Sequence, residues 1–183
     1  MNIFYLHHDP VTCATLHTDK HVVKMILEYA QLLSTTHRIL DGHEVTELTA
    51  NGRRIKRWKL ESELDKVLYK STHSNHPSAV WVRQSLHNYK WLALMLRALC
   101  REYTYRYGKV HKVEQSGLLL TLLLNIPYNI CRITDFTEPT PAMPDEYKVK
   151  NNSIQSYINY YVGAKKHLAN WKNRTIPSWY EIN

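Results

Sequence analysis

The sequence predicts an all-α (mainly α) protein of 183 residues, a compact helical bundle with one long proline-containing loop. Apolar residues recur at helical spacing through most of the chain, bracketed by start and stop signals. No stretch shows convincing apolar–polar alternation, and no repeats or heptads occur. Three of the seven prolines, Pro139, Pro141 and Pro144, fall in one segment and mark the loop.

Met1 to Leu6 is a short apolar, extended lead-in. Asp9-Pro10 opens the first helix, Asp as N-cap and Pro at the first helical position. Helical spacing runs to Leu40, with a break near Thr18-Asp19 where Asp19 could also cap, and Asp41-Gly42 ends it. Residues 41–55 read as a polar loop closed by Asn51-Gly52. A second helix over 56–70 carries Leu60, Leu64, Val67 and Leu68. Ser74-Asn75-His76-Pro77 starts a long pattern to Tyr107 that divides near His87, and Gly108 stops it as a C′ residue. A fourth helix covers 113–124 and halts before Ile126-Pro127. Residues 134–147 form the extended connector. A last helix, 154–171, is capped by Asn152 or Ser153 and leads to Pro177 and a Trp179-Tyr180 tail.

A chain of this length is expected to form a single domain over 1–183, burying about 70% of its unfolded surface. It shows no opening signal pattern and no apolar run near 18 residues, so the expectation is a cytoplasmic protein without a membrane segment. Cys13, Cys100 and Cys131, without a CxxC pair, read as buried hydrophobes in a reducing compartment. A net charge of +8 favours an anionic partner, nucleic acid first, and 13 Tyr with 5 Trp supply rings for base stacking wherever they border a basic cleft. The plain alternatives are a basic surface and aromatic helix cores.

One polar stripe on the first long helix is the strongest functional signal. At about 100° per residue, His17, His21, Lys24, Glu28 and Gln31 share an arc of roughly 80°, while Val22, Val23, Met25, Ile26, Leu27, Tyr29, Ala30, Leu32 and Leu33 cover the remainder. Such a helix is largely buried, so its polar stripe lies on a solvent strip or in a lined cleft. His21 and Glu28 stand two turns apart, about 10 Å along the axis, and Lys24 between them could anchor a phosphate. Acid–base work suits this set better than metal. His17/His21 has ligand spacing, with His7, His8 or Asp9 as further ligands, but lacks the HExxH glutamate and carries a repelling lysine. The competing reading is a Lys24–Glu28 surface pair beside solvated histidines.

Other basic segments are weaker signals. Arg53, Arg54, Lys56, Arg57 and Lys59, with Trp58, place five cations in seven residues and suit phosphate contact. Asn75 and His76 offer polar groups at a helix start, where Asn75 could simply cap. Arg106, Lys109 and Lys112 cluster at a helix C-terminus, where the dipole favours cations anyway. No phosphate loop, GxSxG elbow or CxxC pair is present.

Asp19-Lys20-His21, then Glu28, then Asn51-Gly52-Arg53-Arg54, resembles the pyrimidine-dimer DNA glycosylase family of the phage endonuclease V type. Asn75-His76-Pro77, Arg106-Tyr-Gly-Lys109-Val-His111 and the Pro177-Ser-Trp179-Tyr180 ending are similar to family segments in the same order. The resemblance implies a compact helical domain in which His21 and Glu28 match a family histidine and catalytic glutamate. It implies a terminal α-amine that attacks C1′ of a damaged nucleotide to form a Schiff base. α-Amines ordinarily titrate near pH 8, about 7.7–8.0, so a useful fraction is neutral at pH 7. In the family the amine follows removal of Met before a small residue. Here Asn2 is bulky and Met1 itself supplies the amine. The family arginines beside the glutamate are Leu27 and Gln31 here, so phosphates fall to Lys20, Lys24 or Arg53. About five extra residues near His7-His8-Asp9 separate the terminus from the helix.

The resulting expectation is a DNA N-glycosylase acting on a damaged or modified pyrimidine, with a possible AP-lyase step. Catalysis is assigned to Glu28, His21, Lys24 and Met1. DNA contact is assigned to Lys20, Gln31, Arg53, Arg54, Arg57, Asn75, His76, Arg106 and Lys109. No metal, cofactor or obligate protein partner is expected. The alternatives are an enzyme of free nucleotides or modified bases, Glu28-activated water in place of the amine, and a non-catalytic nucleic-acid-binding module.

Overall fold

The computed structural model describes residues 1–181. Two long helices, α2 (Asp19–Asp41) and α5 (Leu86–Tyr107), pack together as its axis. α1 (Pro10–Thr15) lies on α5, and α4 (Pro77–Gln84) wedges between α2 and α5. The Asp9 side chain caps α1 by accepting from the Thr12 N–H, as the Asp-Pro signal predicts. The break before α2 falls at 16–18, with Thr18 in the cap position. The fold is mainly α.

The charged stretch after α2 is a β-hairpin, not a loop followed by a helix. β1 (His43–Leu48) pairs antiparallel with β2 (Arg54–Lys59), with His43 opposite Lys59 and Leu48 opposite Arg54. Only a single helical turn, α3 (Leu64–Val67), remains of the helix expected over 56–70. The strands do alternate in burial, but Arg57 and Glu47 fill inward positions beside Ile55 and Val45, so hydropathy hid the period of two. Long aliphatic stems with charged heads serve here as the half-buried face. Gly42 lets α2 meet β2 closely, because a Cβ there would lie 2.5 Å from the Arg38 carbonyl oxygen and 2.8 Å from that of Lys59.

Downstream, the second long pattern divides at Ser85, which caps α5, and Gly108 ends α5 in the left-handed region at φ 64°. The expected 113–124 helix splits into α6 (Lys112–Gln115) and α7 (Leu118–Leu124). The connector over 134–147 is extended, with one 3₁₀ turn at Asp145–Tyr147. α8 (Ser153–Val162) is half the expected length. The chain leaves it at Gly163 and wraps the start of α2, where the Asn170 carbonyl accepts from the Asp19 N–H and the Lys172 N–H donates to the Asp19 carboxylate. Satisfying that helix terminus outweighs continuing α8. The tail closes with α9 (Ser178–Glu181). Cys13 and Cys100 are buried, whereas Cys131 is half-exposed, against expectation.

Residues Ile3–Leu6 run extended through the core and are almost wholly buried. Phe4 stacks on His21 at 4.2 Å and meets the edges of Tyr157 and Tyr161. The Trp91 indole donates to the His8 carbonyl at 2.8 Å. The Phe4 N–H donates to the Tyr29 hydroxyl at 3.0 Å and the Leu6 N–H to the Cys13 sulfur at 3.3 Å, so the segment needs no β partner.

Arg106, expected at DNA, is a buried structural residue. Its guanidinium donates to Glu102 at 2.6 Å, to Asp19 at 2.9 Å, and to the carbonyls of His17 and Thr15. Arg174 holds the other Glu102 oxygen at 2.8 Å. Burial pushes the Glu102 carboxyl up, but the hydrogen bonds from Arg174 and Arg106 outweigh it and hold the group below its ordinary range. Arg106→Ala removes the buried cation that Asp19 and Glu102 share and should cost about 3–5 kcal/mol. Urea unfolding checks this, with exposed Arg101→Ala expected within about 0.5 kcal/mol of the parent.

Candidate active site

The predicted stripe on α2 divides into two halves with different fates. Lys24, Glu28 and Gln31 line an open groove of about 460 Å³ between α2, the Tyr69 segment and the Val113 end of the next helix. Its walls are Val23, Leu27 and Val113, with Tyr69, His111 and Lys112 around them. Val23 and Leu27 are 40% and 42% exposed and give the groove an apolar lining beside the carboxylate. Tyr69 is the ring beside this basic groove. Tyr5, Tyr29, Tyr89, Tyr157 and Tyr161 are core residues.

Met1 reaches the same place from the other side. Anchoring of Ile3–Leu6 brings its α-amine to 3.9 Å from Glu28 Oε2, while Lys24 Nζ lies 3.3 Å from Oε1. The Met1 and Glu28 side chains are only 7% and 14% exposed, against 70% for Lys24. Ser78, in the first turn of α4, donates its hydroxyl to the Met1 carbonyl at 2.8 Å and fixes the terminal residue against that helix. The carboxylate thus has a cation at each oxygen, one sheltered and one solvated. The Lys24–Glu28 surface pair therefore exists, as part of the site rather than instead of it.

His76 belongs to this neighbourhood. Its Nδ1 accepts from the Ser78 N–H at 3.2 Å, making His76 and not Asn75 the N-cap of α4. Partial burial lowers its basicity, the Met1 amine and His73 lower it further, and only Glu28 opposes them. Its capping role requires the same unprotonated Nδ1.

The upper half of the stripe is core, which corrects the expectation that His21 orients substrate from a solvent strip. His21 Nδ1 pairs with the Tyr161 hydroxyl at 2.7 Å beneath Phe4, and burial together with neighbouring His17, Lys165 and Lys24 pushes its basicity down to about 3. His17 lies before α2, fully buried, its Nδ1 donating to the Cys13 carbonyl at 2.8 Å, and burial lowers it to about 4. Neither imidazole reaches the groove. Among the described residues no group of three or more His, Cys, Asp or Glu is arranged to hold a metal.

The remaining predicted positions are scattered. Lys20 is exposed on the first turn of α2, Lys109 just beyond α5, and Asn75 beside His76. Arg53 and Arg54 are exposed at the hairpin tip, while Arg57 is half-buried and donates to the Ser71 carbonyl at 2.6 Å. The structure therefore gathers Met1, Lys24, Glu28, Gln31 and His76, and leaves the basic segment apart. Ser78, Tyr69 and the groove-lining role of His111 escaped the sequence reading. Only Ser78, next after Asn-His-Pro, carried a local signal.

Fold and site together define a mainly α protein that seats a terminal amine against a glutamate at the edge of a basic groove. The sequence model of the pyrimidine dimer DNA glycosylase family matches residues 1–115, and the chain belongs to that family. The matched span includes Met1, Lys24, Glu28, Gln31, Tyr69, His76 and His111. Comparison with curated proteins and with solved structures gives no match. No helix among the described residues is long and apolar enough to cross a membrane.

His17, His21 and His37 are buried and all pushed down, to about 4, 3 and 4, from an ordinary 6.5. The unfolded chain binds more protons between those values, so stability is complete above pH 6.5 and falls as the solution is acidified toward pH 4. Each imidazole contributes up to about 2 kcal/mol of loss by pH 5. Urea midpoints should drop steadily from pH 7 to pH 5, and a flat series would mean that these rings are solvated.

Proposed function

We propose that this chain is a DNA N-glycosylase with an associated AP-lyase step, acting on a damaged or modified pyrimidine and carried on a single domain. The observation that carries the reading is the sheltered pair of Met1 α-amine and Glu28 carboxylate, 3.9 Å apart. A neutral amine nitrogen donates its lone pair to C1′, and the C1′–base bond breaks with its electrons leaving on the base, which takes up a proton. Glu28 first stabilises the developing positive charge on the sugar. It then accepts a proton from the attacking nitrogen and returns one to the ring oxygen as C1′–O4′ opens to the imine. In the lyase step the Glu28 carboxylate or a water takes a C2′ proton from that imine, the freed electrons form the C2′=C3′ bond, and the C3′–O bond breaks with the 3′ phosphate leaving.

Two features of the groove support a nucleotide as the guest. A damaged nucleotide turned out of the duplex needs an apolar slot with a few polar contacts. Val23, Leu27 and Val113 supply the walls, Tyr69 a ring, and the Gln31 amide both a donor and an acceptor for a base edge. Exposed Lys24 and Lys20 contact the adjoining backbone, and Arg53, Arg54 and Lys109 add more distant charge. His76 and Asn75 border the amine side of the site.

The test is base release from ultraviolet-irradiated duplex, followed by borohydride trapping of the covalent adduct. Glu28→Gln should lower release at least about 100-fold, and wild-type rates would sink the assignment. Peptide mapping of the trapped species should place the adduct on Met1. One extra residue ahead of Met1 should abolish trapping while leaving the thermal midpoint unchanged. Base release without any adduct would replace the amine with a Glu28-activated water.

A further inference from the structure

Beneath the inner face of the β-hairpin lies a second, smaller pocket of about 210 Å³, lined among others by Arg57, Lys59, Asp65, Lys70 and Ser71. Two arginines, buried Arg38 and half-buried Arg57, border it with opposite fates. Arg38 is fully engaged, donating to the carbonyls of Trp58, Asp65, Leu68 and Tyr69 and to the Asp65 carboxylate. Arg57 makes one hydrogen bond, to the Ser71 carbonyl, and its Nε–H is buried without a partner. Among the described residues no carboxylate lies within ion-pair distance of it. Ser71 is 4% exposed, and its hydroxyl is likewise buried and unpartnered.

Two unsatisfied donors, on lining residues joined through the Ser71 carbonyl, are costly unless something supplies oxygen lone pairs. The pocket's own acids do not. Asp65 is bound by Arg38 and by the Leu60 N–H at 2.9 Å. Glu47 is shared between Lys70 at 3.3 Å and Lys59 at 3.9 Å. Lys66 is held by Glu63 at 2.9 Å, Arg38 by Asp65, and Lys59 and Lys70 by Glu47, so Arg57 is the lining cation without a carboxylate among the described residues. A guanidinium fork beside a hydroxyl suits a tetrahedral oxyanion, and about 210 Å³ is ample for a phosphate group.

We infer that this pocket is a phosphate subsite, completed by Arg57 and Ser71, and that its natural occupant is a backbone phosphodiester of DNA. The choice of DNA rests on the glycosylase reading above; the phosphate chemistry does not. Placement supports it. Tyr69 walls the catalytic groove with its side chain and bonds Arg38 with its carbonyl, so the two pockets flank one short segment. Along α2, Gln31 at the groove and Arg38 at the subsite are seven residues apart, about 10 Å, or about three nucleotides of duplex rise.

The test uses the full chain, undamaged duplex and inorganic phosphate, and needs no turnover. The Arg57 Nε–H resonance should shift saturably with inorganic phosphate and, at lower concentration, with a 16-base-pair duplex. Arg57→Gln should flatten the slope of log affinity against log salt by about one. Should that variant fold poorly, Ser71→Ala serves: removing an unpartnered hydroxyl leaves the thermal midpoint at or above the parent's, yet weakens duplex binding about tenfold. An Arg57 signal unmoved by either probe, or wild-type duplex affinity in Ser71→Ala, overturns the subsite. A shift with inorganic phosphate alone overturns the DNA assignment and leaves a free-phosphate site. A Glu28→Gln protein should bind undamaged duplex with the same Arg57 shift, so failure of the amine chemistry and failure of the subsite are separately visible.

Discussion

The site depends on four extended residues, Ile3–Leu6, that occupy the middle of a helical core. Extended backbone buried away from a sheet must find other partners for its amides. Here they come from side chains on two helices, the Tyr29 hydroxyl on α2 and the Cys13 sulfur on α1, which also donates to the Phe4 carbonyl. Tyr29 and Glu28 are consecutive, about 100° apart around α2. One therefore points inward to hold the segment while the other faces the groove. Fixing Phe4 on Tyr29 thus sets the distance between the chain's first nitrogen and the neighbouring carboxylate. Ser78 closes the arrangement from α4.

Charge in this protein is sorted by burial rather than by sequence. Arg38 and Arg106 sit inside, each spending its donors on carbonyls and one or two carboxylates, and knit α2 to the hairpin and to the tail respectively. Such residues contribute to a net charge of +8 without offering anything to a partner. Lys20, Lys24, Arg53, Arg54 and Lys109 are among the exposed cations, and Arg57 lies between the two groups.

What the sequence made legible follows the same division. Helix starts at Asp9-Pro10 and His76-Pro77, the stop at Gly108 and the extended connector could be read, because each is a local effect of proline, glycine or a capping side chain. The hairpin could not, since its inward face uses Arg57 and Glu47 where hydropathy expects apolar residues. The truncation of α8 could not either, because it is imposed by Asp19, more than 140 residues away in sequence. At the site, helical spacing found Lys24 and Glu28. The same spacing included His17 and His21, since periodicity marks a face but not the depth at which each turn of that face lies. Tyr69 and Ser78 arrive from elsewhere in the chain and have no periodic signature.

The wrapping of the tail around the start of α2 also bears on when the molecule becomes competent. Phe4 packs on Tyr157 and Tyr161, Trp171 donates to the Leu16 carbonyl, and Lys172 reaches Asp19, contacts that close loops of 153 to 157 residues. Such long closures form late. Residues 3–6 are therefore among the last to be seated, and this apolar segment waits exposed until residues 157–172 are in place. The seating of Met1 beside Glu28 thereby waits on contacts supplied from the far end of the fold.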